Sequence, residues 1–203
     1  MSRRFDPRDA YFKRAKAEGY RARSAFKLQE ILERHRIVRR GDTVLDLGAA
    51  PGGFLQVLAE AVGPRGKVVG VDLKPIAPLG LPQVKTLVAD VESEELDAVL
   101  RSVHPGRFAA VVSDMAPATS GVGDTDVARS LRLVERALAL CGDHLRGGGG
   151  FVAKAFMGRG FDALIDASKR SFRRLKIVRP RATRSRSREC FLVGEGYRPA
   201  RRP

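Results

Sequence analysis

The residues able to do chemistry in this chain sit where apolar runs end. Val44-Leu45-Asp46-Leu47 leads directly into Gly48-Ala49-Ala50-Pro51-Gly52-Gly53-Phe54. The run Thr43–Leu47 reads as a buried parallel strand, the small residues as a tight turn, and Phe54–Val62 as a helix. That order opens a βαβ unit, which takes a nucleotide-like ligand at the carboxyl end of its first strand. Gly48 and Gly52 remove side chains where backbone must approach the ligand, and Asp46 puts a carboxylate at the strand end. A dinucleotide loop reads G-x-G-x-x-G. Gly48-x-x-Pro51-Gly52-Gly53 does not match it. A proline turn preceded by a carboxylate suits a cationic ligand without a pyrophosphate, and S-adenosylmethionine (SAM) has that chemistry.

Further charged residues close the other apolar runs. Asp72 ends Lys67–Asp72, 24 residues after Gly48, a distance that suits hydrogen bonds to ribose hydroxyls. Asp90 follows Val84–Ala89, where it either meets an adenine amino group or caps a helix over Glu92–Val103. Asp114 follows Phe108–Ser113. Lys154 stands inside Gly150–Phe156, among Phe151, Val152, Ala153, Ala155 and Phe156. A lysine buried there costs several kcal/mol unless it is paired or neutral, or it snorkels to solvent. Lys27 sits beside the helical stripe Ala25, Phe26, Leu28, Ile31 and Leu32; by spacing alone it is a solvated lysine. Glu189 opens Glu189–Val193 directly after an arginine-rich run, and in isolation reads as a surface ion pair.

These residues need a scaffold of alternating strands and helices. Ala10–Arg36 reads as two helical pieces broken at Gly19-Tyr20. Val127–Leu145 and Asp162–Phe172 read as amphipathic helices, and Arg174–Arg179 as a sixth strand. Gly147–Gly150 should end one helix and admit a strand. The loop 118–126 is rich in Gly, Ser, Thr and Asp. At 203 residues the chain fits one domain, with residues 1–9 a basic arm and 195–203 a basic tail.

Net charge is +15, unevenly placed: +8 over residues 1–40, −4 over 41–168 and +11 over 169–203. Basic ends around a mildly acidic ligand-binding core point to a polyanion, most often nucleic acid. The run from Arg179 to Arg188 suits phosphate contacts without base information. Cys141 and Cys190 show no paired spacing, so neither a disulfide framework nor a metal site is expected. No uncharged run is long enough to span a bilayer. The N-terminus lacks the apolar stretch of a signal peptide. A cytoplasmic protein is expected.

Five motifs together resemble the FtsJ-type family of ribosomal RNA 2′-O-ribose methyltransferases. They are Ser24-Ala25-Phe26-Lys27-Leu28, Asp46 to Phe54, Ser113-Asp114-Met115-Ala116-Pro117, Phe151-Val152-Ala153-Lys154, and Ser187-Arg188-Glu189-Cys190-Phe191-Leu192-Val193. The resemblance implies an α/β, Rossmann-like fold with a seven-stranded, mostly parallel sheet, helices on both faces and an antiparallel last strand. It implies a catalytic tetrad on Lys27, Asp114, Lys154 and Glu189. It places SAM contacts on Gly52, Phe54, Asp72, Asp90 and Asp114, in addition to Asp46 and Gly48 from the loop itself. It implies methylation of a ribose, a uridine, in large-subunit (23S) ribosomal RNA; a monomer is expected. Two positions depart from the family pattern. Phe54 stands where bacterial relatives commonly have Trp, and Ala118 where Asn is frequent.

The chemistry agrees with that assignment. A ribose 2′-hydroxyl is a weak nucleophile and must lose its proton as it attacks the SAM methyl. A lysine accepts a proton only when neutral, and burial beside a second cation favours the neutral amine. Lys154 is therefore the expected base, with Lys27, Asp114 and Glu189 positioning it and the ribose. Alternatively Lys154 steers the hydroxyl by hydrogen bonding while water takes the proton. Transfer RNA as substrate, a non-catalytic ribosome-assembly factor that binds SAM, and an NAD-dependent oxidoreductase are the competing readings.

Overall fold

The computed structural model describes residues 10–117, 123–184 and 187–199. The basic arm 1–9, the position Ala118, Ser185 and Arg186 of the arginine run, and the end of the tail lie outside them. Helices α1 (Ala10–Ala17) and α2 (Ala25–Arg34) precede β1 (Thr43–Leu47). Then come α3 (Gly53–Val62), β2 (Lys67–Asp72), β3 (Val84–Val88), α4 (Leu96–Val103) and β4 (Phe108–Ser113). The chain ends with α5 (Gly123–His144), β5 (Leu145–Phe156), α6 (Phe161–Ser171), β6 (Phe172–Val178) and β7 (Glu189–Tyr197).

The seven strands form one sheet in the order β3-β2-β1-β4-β5-β7-β6. All neighbours are parallel except β7, which runs antiparallel between β5 and β6. The order reverses beside β1, so the crevice between the carboxyl ends of β1 and β4 is the expected ligand position. Two apolar clusters cover the faces. One packs Ala25, Leu28 and Ile31 of α2 and the apolar side of α3 on Val44, Val152 and Phe191. The other packs α4, α5 and α6 on Leu45, Val111 and Phe151. Nearly every residue of β4 is buried because helices cover it on both sides.

Several boundaries differ from the sequence reading, and some have a local reason. Helix α4 starts at Leu96, not Glu92. Asp90 Oδ1 accepts from the Glu92 N–H at 2.9 Å and Ser93 Oγ from the Glu95 N–H at 3.1 Å, which holds the preceding residues in turns. Helix α5 starts at Gly123. Strand β5 runs back through the glycines to Leu145, with a register shift against β4 between Phe108 and Ala110. A Cβ on Gly150 would lie 2.5 Å from Ile37 Cβ, so only glycine lets the residue-37 segment cross there. Strand β7 continues to Tyr197, so Glu195–Tyr197 belong to the sheet and not to a tail. Gly194 resembles a strand end in sequence, but a Cβ there would meet the Phe172 ring at 2.8 Å.

Candidate active site

The aspartates expected at strand ends line up along one edge. Asp46 lies in β1, Asp72 ends β2, and Asp90 and Asp114 follow β3 and β4. Asp46 is fully buried, and neither of its carboxylate oxygens has a hydrogen-bond partner. Burial pushes its carboxyl well above the ordinary value, and the negative charges of Asp114 and Asp72 push it further. A buried acid with no donor, flanked by two more carboxylates, is a place prepared for a cation.

The loop beside it is shaped by backbone. Gly48 has φ +75°, and a Cβ there would lie 2.8–2.9 Å from Met115, main-chain atoms included. Gly52 has φ +113° and stands at the N-cap of α3. Both conformations favour glycine. Asp72 Oδ2 accepts from the Ala50 N–H at 2.9 Å, and Oδ1 from the Lys74 N–H. Phe54, the expected cofactor contact, has its ring buried, 6.4 Å from the Phe191 ring. The ring packs in the apolar cluster under α2 and α3.

Lys154 and Lys27 each meet a carboxylate. Lys154 Nζ donates to the Asp114 main-chain oxygen at 2.6 Å and to Asp114 Oδ1 at 2.9 Å. Lys27 Nζ donates to Glu189 Oε1 at 2.5 Å, with both side chains largely buried (8% and 13% exposed). The register places Lys154 opposite Phe191, and Glu189, two residues before Phe191, on the same face of the sheet. The Phe191 ring lies below Lys27 Nζ, 5.9 Å away. Thus α2 lowers Lys27 onto the sheet from one side while β5 and β7 raise Lys154 and Glu189 toward it. The solvated reading of Lys27 and the surface reading of Glu189 both give way to this pair.

Three contributors have no signal in the sequence. Arg21 donates from Nη1 to the Pro51 and Ala77 carbonyls at 3.2 and 2.5 Å, and from Nη2 to the Pro78 carbonyl at 2.5 Å. It ties the glycine loop to the segment after β2. Gln56 of α3 accepts from the Arg21 N–H and donates to the Gly19 carbonyl, docking the helix break beside the same loop. Thr183 Oγ1 donates to Glu189 Oε1 at 3.4 Å.

A reversed-order parallel sheet, a glycine loop after β1 and an acidic rim define the class: a methyl-transfer domain that holds a cationic donor. The FtsJ-like methyltransferase family matches residues 20–197, and the chain belongs to that family. Ribosomal RNA large subunit methyltransferase E of Myxococcus xanthus is 53% identical over 194 residues, covering 96% of this chain and 91% of that protein. The enzyme of the same name from Syntrophobacter fumaroxidans is 49% identical, over 92% and 94% of the two chains. In fold, the chain resembles a protein described as a ribosomal RNA methyltransferase from Plasmodium falciparum (TM-score 0.79, 23% identity, 88% of this chain and 98% of that one). It also resembles a SAM-dependent methyltransferase from Aquifex aeolicus (TM-score 0.58, 16% identity, 96% and 100%).

The methyl donor of this enzyme is SAM. The residues present fit it: Asp46 has an unpartnered buried carboxyl suited to a cationic group, and Asp72 is hydrogen-bonded to the loop through the Ala50 N–H. Among the described residues no group of three or more His, Cys, Asp or Glu could hold a metal ion. No described helix is long and apolar enough to cross a membrane.

Proposed function

We propose that this chain methylates a ribose 2′-hydroxyl, a uridine, in large-subunit ribosomal RNA, with Lys27, Asp114, Lys154 and Glu189 as the catalytic group. Bound SAM supplies an electrophilic methyl for in-line displacement. The observation that carries the reading is the bonding of Lys154. Two donors of its Nζ are committed to Asp114. A neutral amine has only those two N–H bonds, so its lone pair faces the remaining direction, where the 2′-hydroxyl would come. Lys154 then removes the proton from the hydroxyl as the oxygen attacks. Asp114 holds the amine by main chain and side chain together. Lys27 and Glu189 form a second charged pair on the same sheet face, suited to holding the ribose and its flanking phosphate.

The basic ends and the arginine-rich segment before β7 support an RNA substrate, and the names of the relatives supply the large-subunit part of the proposal. In this reading the enzyme acts as a monomer in the cytoplasm. The test is methyl transfer from isotopically labelled SAM to unmodified large ribosomal subunits, to deproteinised ribosomal RNA and to transfer RNA, with wild type and Lys154→Ala. Label in large-subunit RNA that vanishes in the variant is the expected result. Label in transfer RNA alone, or SAM binding without any transfer, would overturn it.

A further inference from the structure

We infer that the enzyme has a second contact for RNA at the opposite edge of the sheet, a pocket that takes a backbone phosphate remote from the reacting ribose. This rests on the RNA-substrate reading above.

A cavity of about 190 Å³ opens where β1 and β4 begin and β7 ends, lined by Arg36, Arg39, Asp42, Arg146, the glycines 147–150 and Glu195. It lies at the amino ends of the parallel strands, whereas Asp46, Asp114, Lys154 and Glu189 lie at the carboxyl ends. The five residues of β1 separate the two edges by roughly 16 Å. One phosphate cannot serve both.

The charges in the cavity do not cancel. Its carboxylates are engaged: Asp42 Oδ1 accepts from Arg146 Nη2 at 3.1 Å and Oδ2 from the Arg39 N–H at 2.7 Å. Glu195 Oε1 lies 2.7 Å from His35 Nδ1, and Oε2 lies 3.7 Å from Arg174 Nε. The guanidinium groups of Arg36 and Arg39 have no side-chain partner among the described residues. Arg36 and Arg39 thus bring two planar five-donor forks to the rim of a polar cavity floored by residues without side chains, donors suited to phosphate oxygens. Asp42 is buried and holds Arg146 in place, so one wall of the cavity is fixed before any ligand arrives.

The chemistry selects phosphate, and the RNA backbone is the source that the remainder of the enzyme handles. Such a contact positions the substrate and carries no base information. It would let the enzyme recognise a folded RNA that wraps around the sheet.

The test uses the full chain and the double variant Arg36→Gln/Arg39→Gln. Arg146 is kept because removing it would strand the buried Asp42. Affinity for deproteinised large-subunit ribosomal RNA is measured across a salt series, with KM for that RNA and the Kd for SAM alongside. The expected result is a fall of about one in the magnitude of the log–log salt slope, as for the loss of one phosphate contact, with RNA binding weakened roughly tenfold at moderate salt. SAM affinity stays at the wild-type value, which shows a folded cofactor site. Arg36→Lys/Arg39→Lys restores the slope, because counterion release depends on charge. An unchanged slope in the Gln variant, with wild-type RNA methylation intact, overturns this inference alone. So does orthophosphate binding that the variant loses while its RNA parameters stay the same, since that marks a free-anion site. Failure of the wild type to bind or methylate RNA overturns both readings.

Discussion

Lys154 Nζ bonds Asp114 twice, through the main-chain oxygen at 2.6 Å and through Oδ1 at 2.9 Å. The two hydrogen bonds tie the amine to the end of β4 from a neighbouring strand, and the main-chain one does not depend on the Asp114 side-chain rotamer. Lys154→Ala should lower kcat by at least 10²-fold, in the usual range for loss of a general base, while the Kd for SAM stays within a few-fold. Lys154→Arg should not recover the rate, because a guanidinium stays protonated. Single-turnover rates and SAM titrations check both. A pH–rate profile whose ascending limb, where a base loses its proton, survives in Lys154→Ala would remove the base assignment and leave a steering role.

The Lys27–Glu189 pair separates stability from activity. Removing one partner leaves a charge in a largely buried place, so Lys27→Met or Glu189→Gln should destabilise the fold by about 2–4 kcal/mol. The double variant should recover most of that and remain inactive. Denaturant unfolding of the four proteins in a double-mutant cycle gives the coupling. A double variant as unstable as the sum of the singles would mean that the two groups do not interact.

Asp46 links cofactor binding to pH. Its carboxyl titrates above the ordinary 3.8 in the folded, ligand-free protein. The folded state therefore holds a proton that the unfolded state has already lost. Its contribution to stability is complete below 3.8 and is lost as pH rises through the higher folded value. Asp46→Asn should flatten that part of the stability–pH profile and make the ligand-free protein more stable than wild type at pH 8. It should also weaken SAM binding. Chemical denaturation of both proteins between pH 4 and 8, without ligand, makes the comparison; identical profiles would contradict the assignment.

Arg21→Ala should raise the Kd for SAM roughly tenfold, in line with about 1.5–3 kcal/mol for hydrogen bonds from a charged donor, shared between loop order and affinity. The kcat at saturating SAM should change little. Arg21→Lys should resemble the alanine variant, since one ammonium cannot reproduce a fork that reaches three carbonyls. Isothermal titration and steady-state kinetics distinguish these. A fall in kcat with unchanged SAM affinity would place Arg21 in RNA handling instead.

The sheet was legible in the sequence because the central strands are apolar runs with a charged residue at or near their ends, as with Asp46 one residue before the end of β1 and Asp114 just after β4. Lys154 stood out for the same reason: a cation among Phe151, Val152 and Phe156 demands a partner. The approach of Lys27 to Glu189 was legible only through the family motifs, since the two are 162 residues apart and their own neighbourhoods look like ordinary surface. Arg21 had no signal, because its acceptors are main-chain carbonyls and any residue type supplies those. Gly194 and Asp90 misled for opposite reasons. The glycine answers the bulk of Phe172, a tertiary demand, while the aspartate makes a local turn that outcompetes helix.

The place of β7 has a consequence for how the enzyme is made. The strand slots between β5 and β6, both of which leave the ribosome before it. Until residues 189–197 have been synthesised, β5 and β6 each keep a row of unpaired main-chain groups, and Lys27 lacks its carboxylate partner. A nascent chain stopped short of that point holds the glycine-loop half of the sheet and lacks Glu189 of the proposed catalytic group. With Glu189 in the proposed catalytic group, competence is therefore acquired late, with the insertion of one strand, and a prematurely terminated product exposes the edges of β5 and β6 that β7 covers in the finished sheet.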